Sequence, residues 1–558
     1  MSLPLLVLAL GCGAPTTSAP TVQPFGPIFG DATSGSGIDY VNVCGPPSDE
    51  KGWIVEYMGT GAAWLDYDGD GHLDLYLVNG STLDRADSAG EPNRLFRGDG
   101  RGRFVDVTAE SGTGHRGWGY GVAVGDIDND GDHDLYVTNL GSNVLYLNRG
   151  DGTFEDVTDR AGVGLGSWST AAAFFDMEGD GDLDLYVGRY VDFDLDNTPR
   201  RGSRRSKPPH CDFRGLQVFC GPRGLEPAHN VMYRNNGDGT FTDVTLASGM
   251  QLERARYTLG VVTFDFDNDG DQDVFDANDS VVNCLWQNRG DGTFEEVALA
   301  TLTALDSEGQ AQGCMGTDAA DYDGDGWLDL VVTNFSHDMN TIYRNVSGKF
   351  FVDESAAIGM TDTVLQLSWG TAFHDFDQDG DLDLFIANGH AYPEVDGADI
   401  GTSYEQSNHL FSNDGGRFHE VSVRSGAALA LKRSWRGSAF GDYDGDGDMD
   451  ILVTAMNAPV QLLRNDTPAK GHYLKIRLVG TVSNRDAVGA RVTLTAGGKR
   501  QIRERKGGGS YLSASDPVLH FGLGPAAKAD LVEIRWPSGR RTELRDVAAD
   551  RLLAVEER

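Results

Sequence analysis

Asp126-Ile-Asp-Asn-Asp-Gly-Asp-His-Asp134 runs directly into Leu135-Tyr-Val-Thr-Asn139. The first stretch has acidic side chains at positions 1, 3, 5 and 9 and glycine at position 6. The second alternates as a half-buried strand does. A carboxylate at every second position of a short loop lets alternate side chains converge on one point. Hard divalent cations with flexible oxygen coordination, calcium above all, suit this arrangement. Glycine takes the sharp bend, because it enters left-handed backbone without a steric penalty.

The pattern D-x-[D/E]-x-D-G-x-x-D occurs seven times. Position 1 is Asp66, Asp126, Asp176, Asp265, Asp321, Asp375 and Asp442. Position 3 is Asp68, Asp128, Glu178, Asp267, Asp323, Asp377 and Asp444, and position 5 is Asp70, Asp130, Asp180, Asp269, Asp325, Asp379 and Asp446. Position 9 is Asp74, Asp134, Asp184, Asp273, Asp329, Asp383 and Asp450. In calcium loops the carbonyl after the glycine joins the shell, here that of His72, Asp132, Asp182, Asp271, Trp327, Asp381 and Asp448. An EF-hand needs a bidentate Glu at position 12 and flanking helices. Six of the seven twelfth residues are apolar and all lie in strand-like segments, so these loops join β-strands. The expected cofactor is calcium, up to seven ions.

A second motif trails each loop: Asn93-Arg-Leu-Phe, Asn143-Val-Leu-Tyr, Asn230-Val-Met-Tyr, Asn283-Cys-Leu-Trp, Asn340-Thr-Ile-Tyr, Asn408-His-Leu-Phe and a degenerate Val460-Gln-Leu-Leu. Most run on into Gly-Asp-Gly-Thr-Phe-x-Asp-Val-Thr, and Gly-Asp-Gly between alternating runs signals a tight hairpin. Each unit therefore reads as four strands. Such units at loop intervals of 60, 50, 89, 56, 54 and 67 residues indicate an all-β, seven-bladed β-propeller. The seventh unit lacks its Phe-x-Asp-Val-Thr strand, and the missing copy stands at Phe29-Gly-Asp-Ala-Thr33. The N-terminal strand is thus expected to complete the last blade and close the ring, removing exposed sheet edges. Residues 24–465 form this propeller, and residues 466–558 read as a small C-terminal β domain with strands at His472–Val479, Arg491–Ala496 and Leu531–Trp536.

The 558 residues carry 85 acidic and 46 basic side chains, a formal charge of −39. Residues 466–558 hold 17 basic and 11 acidic side chains, net +6, which leaves −45 for residues 1–465. A body this acidic argues against nucleic acid as a partner, since phosphate backbones need a positive surface. Residues 1–23 hold a short apolar run, too short to span a bilayer, that reads as a secretory signal. Ala9-Leu10-Gly11-Cys12 resembles a lipobox, which makes Cys12 a candidate for lipidation. An exported protein is expected, a bacterial outer-membrane or cell-surface lipoprotein or else a secreted or periplasmic one. Its only membrane contact would be that anchor, and it would be a monomer.

Six cysteines include no C-x-x-C pair, against zinc and thioredoxin-type chemistry. Cys211 and Cys220 close a short loop inside an insertion at 192–229 and are the expected disulfide. Cys284 and Cys314 are expected as buried thiols or as partners across neighbouring blades. The insertion also carries Arg200-Arg-Gly-Ser-Arg-Arg-Ser-Lys207, either a solvated loop or a site for an anionic glycan or phosphate.

The Asp loops, with Asn-x-Leu-Tyr-x-Asn and Gly-Asp-Gly-Thr-Phe, resemble the FG-GAP/VCBS repeats of integrin-α-type propellers. His472-Tyr-Leu-Lys-Ile-Arg-Leu-Val-Gly480, Ser483-Asn-Arg-Asp-Ala-Val-Gly-Ala-Arg491, Phe521-Gly-Leu-Gly524 and Arg535-Trp-Pro-Ser-Gly539 are similar to the ASPIC/UnbV domain. Together they resemble the cartilage acidic protein family and its bacterial relatives, from about Phe29 to Glu556. The resemblance implies that the carboxylates of all seven loops bind calcium. Glu178 departs from the pattern, and its longer side chain would weaken or re-centre the third site. The family is associated with matrix or surface recognition.

No G-x-S-x-G, H-E-x-x-H or Walker loop is present. Gly112-Thr-Gly-His-Arg-Gly117 matches G-x-G-x-x-G but leads into a strand, so the dinucleotide reading fails. No catalytic residue is assigned. His390 stands on an inter-strand loop, as a structural histidine or as part of a binding face. The expected function is binding of a protein or glycan through loops on one face. Two alternatives stay open: a lyase-like polysaccharide-active enzyme on a calcium propeller, and a scaffold for a functional tail.

Overall fold

The computed structural model describes residues 26–85, 90–207, 210–468 and 470–558. Cys12 lies outside the described residues. Seven four-stranded antiparallel sheets fill residues 29–465. In blade 2 the strands run Trp118–Gly125, Asp134–Leu140, Val144–Asn148 and Phe154–Asp156, in that order from the channel outwards. The metal loop joins the first strand to the second, as its apolar flanks require, and the Gly-Asp-Gly hairpin joins the third to the fourth.

Blade 7 takes its outer strand from the other end of the chain. Phe29–Asp31 pairs antiparallel with Gln461–Asn465, with Phe29 opposite Asn465. The same Phe-to-Asn register recurs at Phe154–Asn148, Phe241–Asn235, Phe294–Asn288, Phe351–Asn345 and Phe418–Asn413. The displaced motif is therefore the missing fourth strand. The expectation of a closed ring needs restating, however. Among the described residues the blades remain separate sheets with no ladder of strand pairs between them, only side-chain packing, isolated bridges such as Leu140 to Trp168, and single polar contacts. One such contact links blade 7 to blade 1, where the Thr454 hydroxyl donates to the Thr60 carbonyl at 2.6 Å.

Beyond blade 7, Leu519–Gly524, His472–Val479 and Arg551–Glu556 form a three-stranded sheet. Lys499–Glu504, Arg491–Ala496, Lys528–Arg535 and Arg541–Ala548 form a four-stranded one. The third of these starts three residues earlier than its alternation suggested. Leu474, Ile476, Val492, Leu494, Phe521 and Trp536 are buried between the two sheets as their core.

Strand direction fixes the two faces of the disc. All metal loops lie on one face, and blade 7 delivers the tail to that same face. The second-to-third connections, the 192–229 insertion among them, lie on the other. In the insertion Cys211 and Cys220 are disulfide-bonded, while Cys44, Cys284 and Cys314 are buried free thiols. Three of the five side chains of its basic run are spent on the protein's own surface. Arg200 stacks on Trp53 at 5.3 Å, Arg201 pairs with Glu394, and Arg205 reaches the Asp196 carbonyl. Those contacts disfavour the anion-site reading.

Candidate metal centres

Every metal loop has the same internal wiring. The sixth-position glycines adopt φ between +87° and +115°, so only glycine fits them without strain. The fourth position is left-handed as well, and there Gly alternates with Asn129, Asn268 and Gln378. One oxygen of the position-1 carboxylate accepts the glycine N–H at 2.8–3.1 Å. Position 5 accepts the N–H of position 7 at 2.8–3.1 Å.

The ninth carboxylate works as a strut. One oxygen takes the N–H of position 2, at 2.8–3.3 Å. The other takes an N–H at the end of the blade's third strand, at 2.7–2.9 Å. Positions 1 and 3 hold the spare oxygens. One carboxylate oxygen each of Asp66, Glu178, Asp321, Asp377, Asp442 and Asp444 is buried with no hydrogen-bond partner. Leaving such an atom unpaired costs about 1–3 kcal/mol, more for a charged group. A cation would satisfy them, so the residues fit a metal. In at least five loops, three carboxylate oxygens lie within 4.8 Å of one another, as with Asp126, Asp128 and Asp134, or Asp265, Asp267 and Asp269.

The electrostatics agree. Burial pushes Asp126 up to about 7, with Asp486 adding to it, and burial pushes Asp74 up to about 8 and Asp134 up to about 9. Two unit charges about 4 Å apart repel by roughly 4 kcal/mol at an effective dielectric of 20. The loops therefore resist full ionisation on their own. At the third loop, burial likewise raises Glu178, with Asp180 adding to it.

Each loop also joins its blade to the next. The asparagine ending the third strand donates Nδ2 to the position-2 carbonyl of the preceding blade's loop, at 2.8–2.9 Å in six cases. Blade 1 has Gly98 instead. Asn129, Asn268 and Gln378 reach from loops 2, 4 and 6 to the glycine carbonyls of loops 3, 5 and 7, at 3.1–3.4 Å.

The tail covers these loops. The Lys475 ammonium lies 2.6 Å from Asp442 and that of Lys499 lies 2.7 Å from Asp381. Arg535 pairs with Asp265 and Lys470 with Asp448. At loop 2 the tail brings a carboxylate, since Asp486 accepts the Asp126 N–H at 3.0 Å and faces His133 at 3.3 Å. Reading the sequence motif by motif missed these partners. The signal for them was the charge asymmetry, net +6 beside −45.

Between its sheets the tail sends Arg505-Lys-Gly-Gly-Gly-Ser-Tyr-Leu-Ser-Ala-Ser-Asp-Pro517 into the propeller channel. Main-chain bonds tie Gly507 and Gly509 to Thr263 and Val261, Ser510 to Thr317, Leu512 to Val122, and Ala514 to Ala62 and Trp64. The Ser510 hydroxyl donates to the Ser438 carbonyl at 2.8 Å. A Cβ at Gly507 would run into the Phe174 carbonyl of blade 3. Tyr511, fully buried at the tip, donates to the Met58 carbonyl at 3.1 Å and meets Trp369 edge-on at 4.9 Å. The channel is thus filled by the chain itself.

His390 is structural: its ring bonds Ser336 at 2.9 Å and accepts the Tyr392 N–H at 3.0 Å, and burial pushes it down to about 3.

A model of the FG-GAP-like repeat matches residues 66–137, 129–187, 217–276, 265–332, 321–386 and 375–453, more than half of the chain. The chain belongs to the FG-GAP-like repeat family. Its tail matches the ASPIC and UnbV model over residues 480–558. Among curated proteins this FG-GAP-like chain is similar to cartilage acidic protein 1 of Xenopus tropicalis, 27% identical over 55% of this chain and 46% of that one. The Homo sapiens protein of the same name is 29% identical over 51% and 41%. The FG-GAP-like chain thus matches less than half the length of these relatives. Among solved structures, a lectin of Agrocybe aegerita that recognises non-reducing terminal N-acetylglucosamine aligns with TM-score 0.39 and 16% identity, over 68% of this chain and 89% of that one. BBS1N in its complex with ARL6DN aligns with TM-score 0.39 and 9% identity, over 80% and 99%.

Proposed function

We propose that this FG-GAP-like chain is an exported, calcium-stabilised binding module that recognises a protein or glycan through the face opposite its metal loops. The observation that carries the reading is the set of buried, unpartnered carboxylate oxygens in the loops. Those loops also hold neighbouring blades together, so a cation bound there would stabilise the disc. The tail covers the metal face, which leaves the insertion face for recognition. Its relatives named cartilage acidic protein 1 support a place outside the cell.

Calcium, when bound, supplies positive charge to ligands that otherwise repel one another. The chain's residues do the rest. Positions 1, 3, 5 and 9 would contribute carboxylate oxygens and position 7 its carbonyl, and position 9 also orients the loop through its two backbone N–H partners. Because a cation binding only the folded state stabilises it by mass action, chelation should lower Tm, and calcium should restore it. A protein and glycan array probed with and without calcium tests the recognition half. A chelated protein with unchanged Tm would overturn the metal half, and calcium-independent silence on every array would overturn the other.

A further inference from the structure

On the insertion face, the channel mouth opens into a cavity of about 380 Å³. Its floor is Met58 and Trp369, resting on the plug through Tyr511. Its wall is a nest of rings. Phe213, from the disulfide-closed loop, sits 5.5 Å from Phe335 and 5.4 Å from Tyr392, and Phe335 sits 5.5 Å from Tyr392. Asp279 and Asp338 line the same cavity. Asp279 is 8% exposed. Its carboxylate takes the Tyr190 hydroxyl at 2.6 Å and the Ser280 hydroxyl at 2.8 Å. Among the described residues neither acid has an ion-pair partner. Arg223, at the exposed rim, spends Nε on the Ser280 carbonyl at 2.8 Å.

We propose that this cavity binds an organic cation, an alkylammonium or guanidinium group, against the faces of Phe213, Phe335 and Tyr392 and beside Asp279 and Asp338. Ring faces carry negative potential and attract cations, most strongly where water is excluded. Buried carboxylates without a counter-ion are costly, and an incoming cation offsets that cost. Burial pushes both acids up, against the opposing pull of Arg223 on each and of Arg214 on Asp338. A neutral sugar would use the rings but would bring no charge to either acid. Trp369 contributes shape more than charge, because Arg436 already stacks on it at 4.1 Å.

The inference rests on taking this face as the recognition surface, and names the chemistry it selects. The test is calorimetric titration of the full chain, in calcium, with choline, N-acetyl-arginine amide and the neutral choline isostere 3,3-dimethylbutanol. Choline binding alone indicates a free ammonium ligand. Arginine amide binding indicates a side chain of a protein partner. Either cation should bind at least about tenfold tighter than the isostere, and Asp338→Asn should abolish that preference while Tm holds. Asp279→Asn, closer to the core, is a second variant read only if it folds. Equal binding of the isostere, or no binding of either cation, overturns the inference. If cations fail while an array partner still binds, the recognition reading survives and this one falls.

Discussion

Asn148 donates its side-chain N–H to the main-chain carbonyl of Tyr67, 2.8 Å away in the metal loop of the preceding blade. The same amide also reaches the His133 carbonyl at 3.2 Å, and its oxygen accepts the Gly150 N–H at 3.1 Å. One residue thus ends a strand, shapes a hairpin and clasps a neighbour. Asn288 repeats all three contacts between blades 4 and 3. Asn288→Ala should therefore destabilise by about 2–3 kcal/mol, read as a lower midpoint in urea. Gly98→Asn, which looks like a repair at the joint between blades 1 and 7, should destabilise too, because a Cβ there runs into the Leu73 carbonyl.

Metal-stripped protein should lose stability as pH rises. Burial raises Asp126, Asp74 and Asp134 from 3.8 to about 7, 8 and 9. The folded state therefore holds protons that the unfolded state has released, and stability declines wherever that holds. The contribution is full below pH about 4 and is lost as pH climbs through about 7 to 9. Thermal melts in chelator from pH 5 to 9 should show a falling Tm, and saturating calcium should flatten the curve. A Tm that climbs with pH in chelator would contradict this.

Lys475 competes for the charge of the seventh loop. Its ammonium shares the Asp442 oxygen that accepts the Gly447 N–H, and so offsets negative charge a cation would use. Lys475→Met keeps the stem and removes the charge. Loop 7 should then bind calcium about three- to tenfold tighter, visible as one altered class in a titration. The same variant should melt lower in chelator, since Asp442 loses its partner.

The tail segment that fills the channel ties tail to propeller. Tyr511→Ala should cost about 3–5 kcal/mol, the usual range for emptying a buried aromatic site. A chain ending at Thr467 should expose the apolar channel and bind a hydrophobic dye such as ANS. Tight folding of that fragment with unchanged Tm would show the plug to be dispensable. This also bears on testing the tail as a separate module, because cutting it away opens the channel it fills.

Most of the blade plan could be read from residues alone. Local chemistry dictates it: alternation makes strands, Gly-Asp-Gly makes hairpins, and the metal loops mark each first turn. Even the displaced Phe29 strand followed from one motif missing at Val460. What escaped was nonlocal. Arg535 and Asp265 are 270 residues apart, and no spacing rule pairs them. No motif marks Gly507-Gly-Gly509, and it is the Phe174 and Val261 carbonyls across the channel that leave no room for a Cβ at Gly507 and Gly508. The ninth-position aspartates stand among the clustered carboxylates, as at Asp134 and Asp383, but their added hydrogen bonds to two backbone N–H groups become visible only with the third strand in place. The cavity beside Phe213 draws on the insertion and blades 4, 5 and 6 and has no contiguous signature.

Asp31 and Gln461, neighbours in blade 7, are separated by 430 residues of chain. A polypeptide made from its amino end presents Phe29–Asp31 well before Gln461–Asn465 and must keep that segment unsatisfied until blade 7 has been made. Contacts so distant form slowly, so the earlier blades assemble while the last sheet still lacks a border. During that interval its open backbone can accept a foreign strand, even one from a sister molecule. Completion of blade 7 therefore has to await the arrival of the strand that mates with Phe29–Asp31.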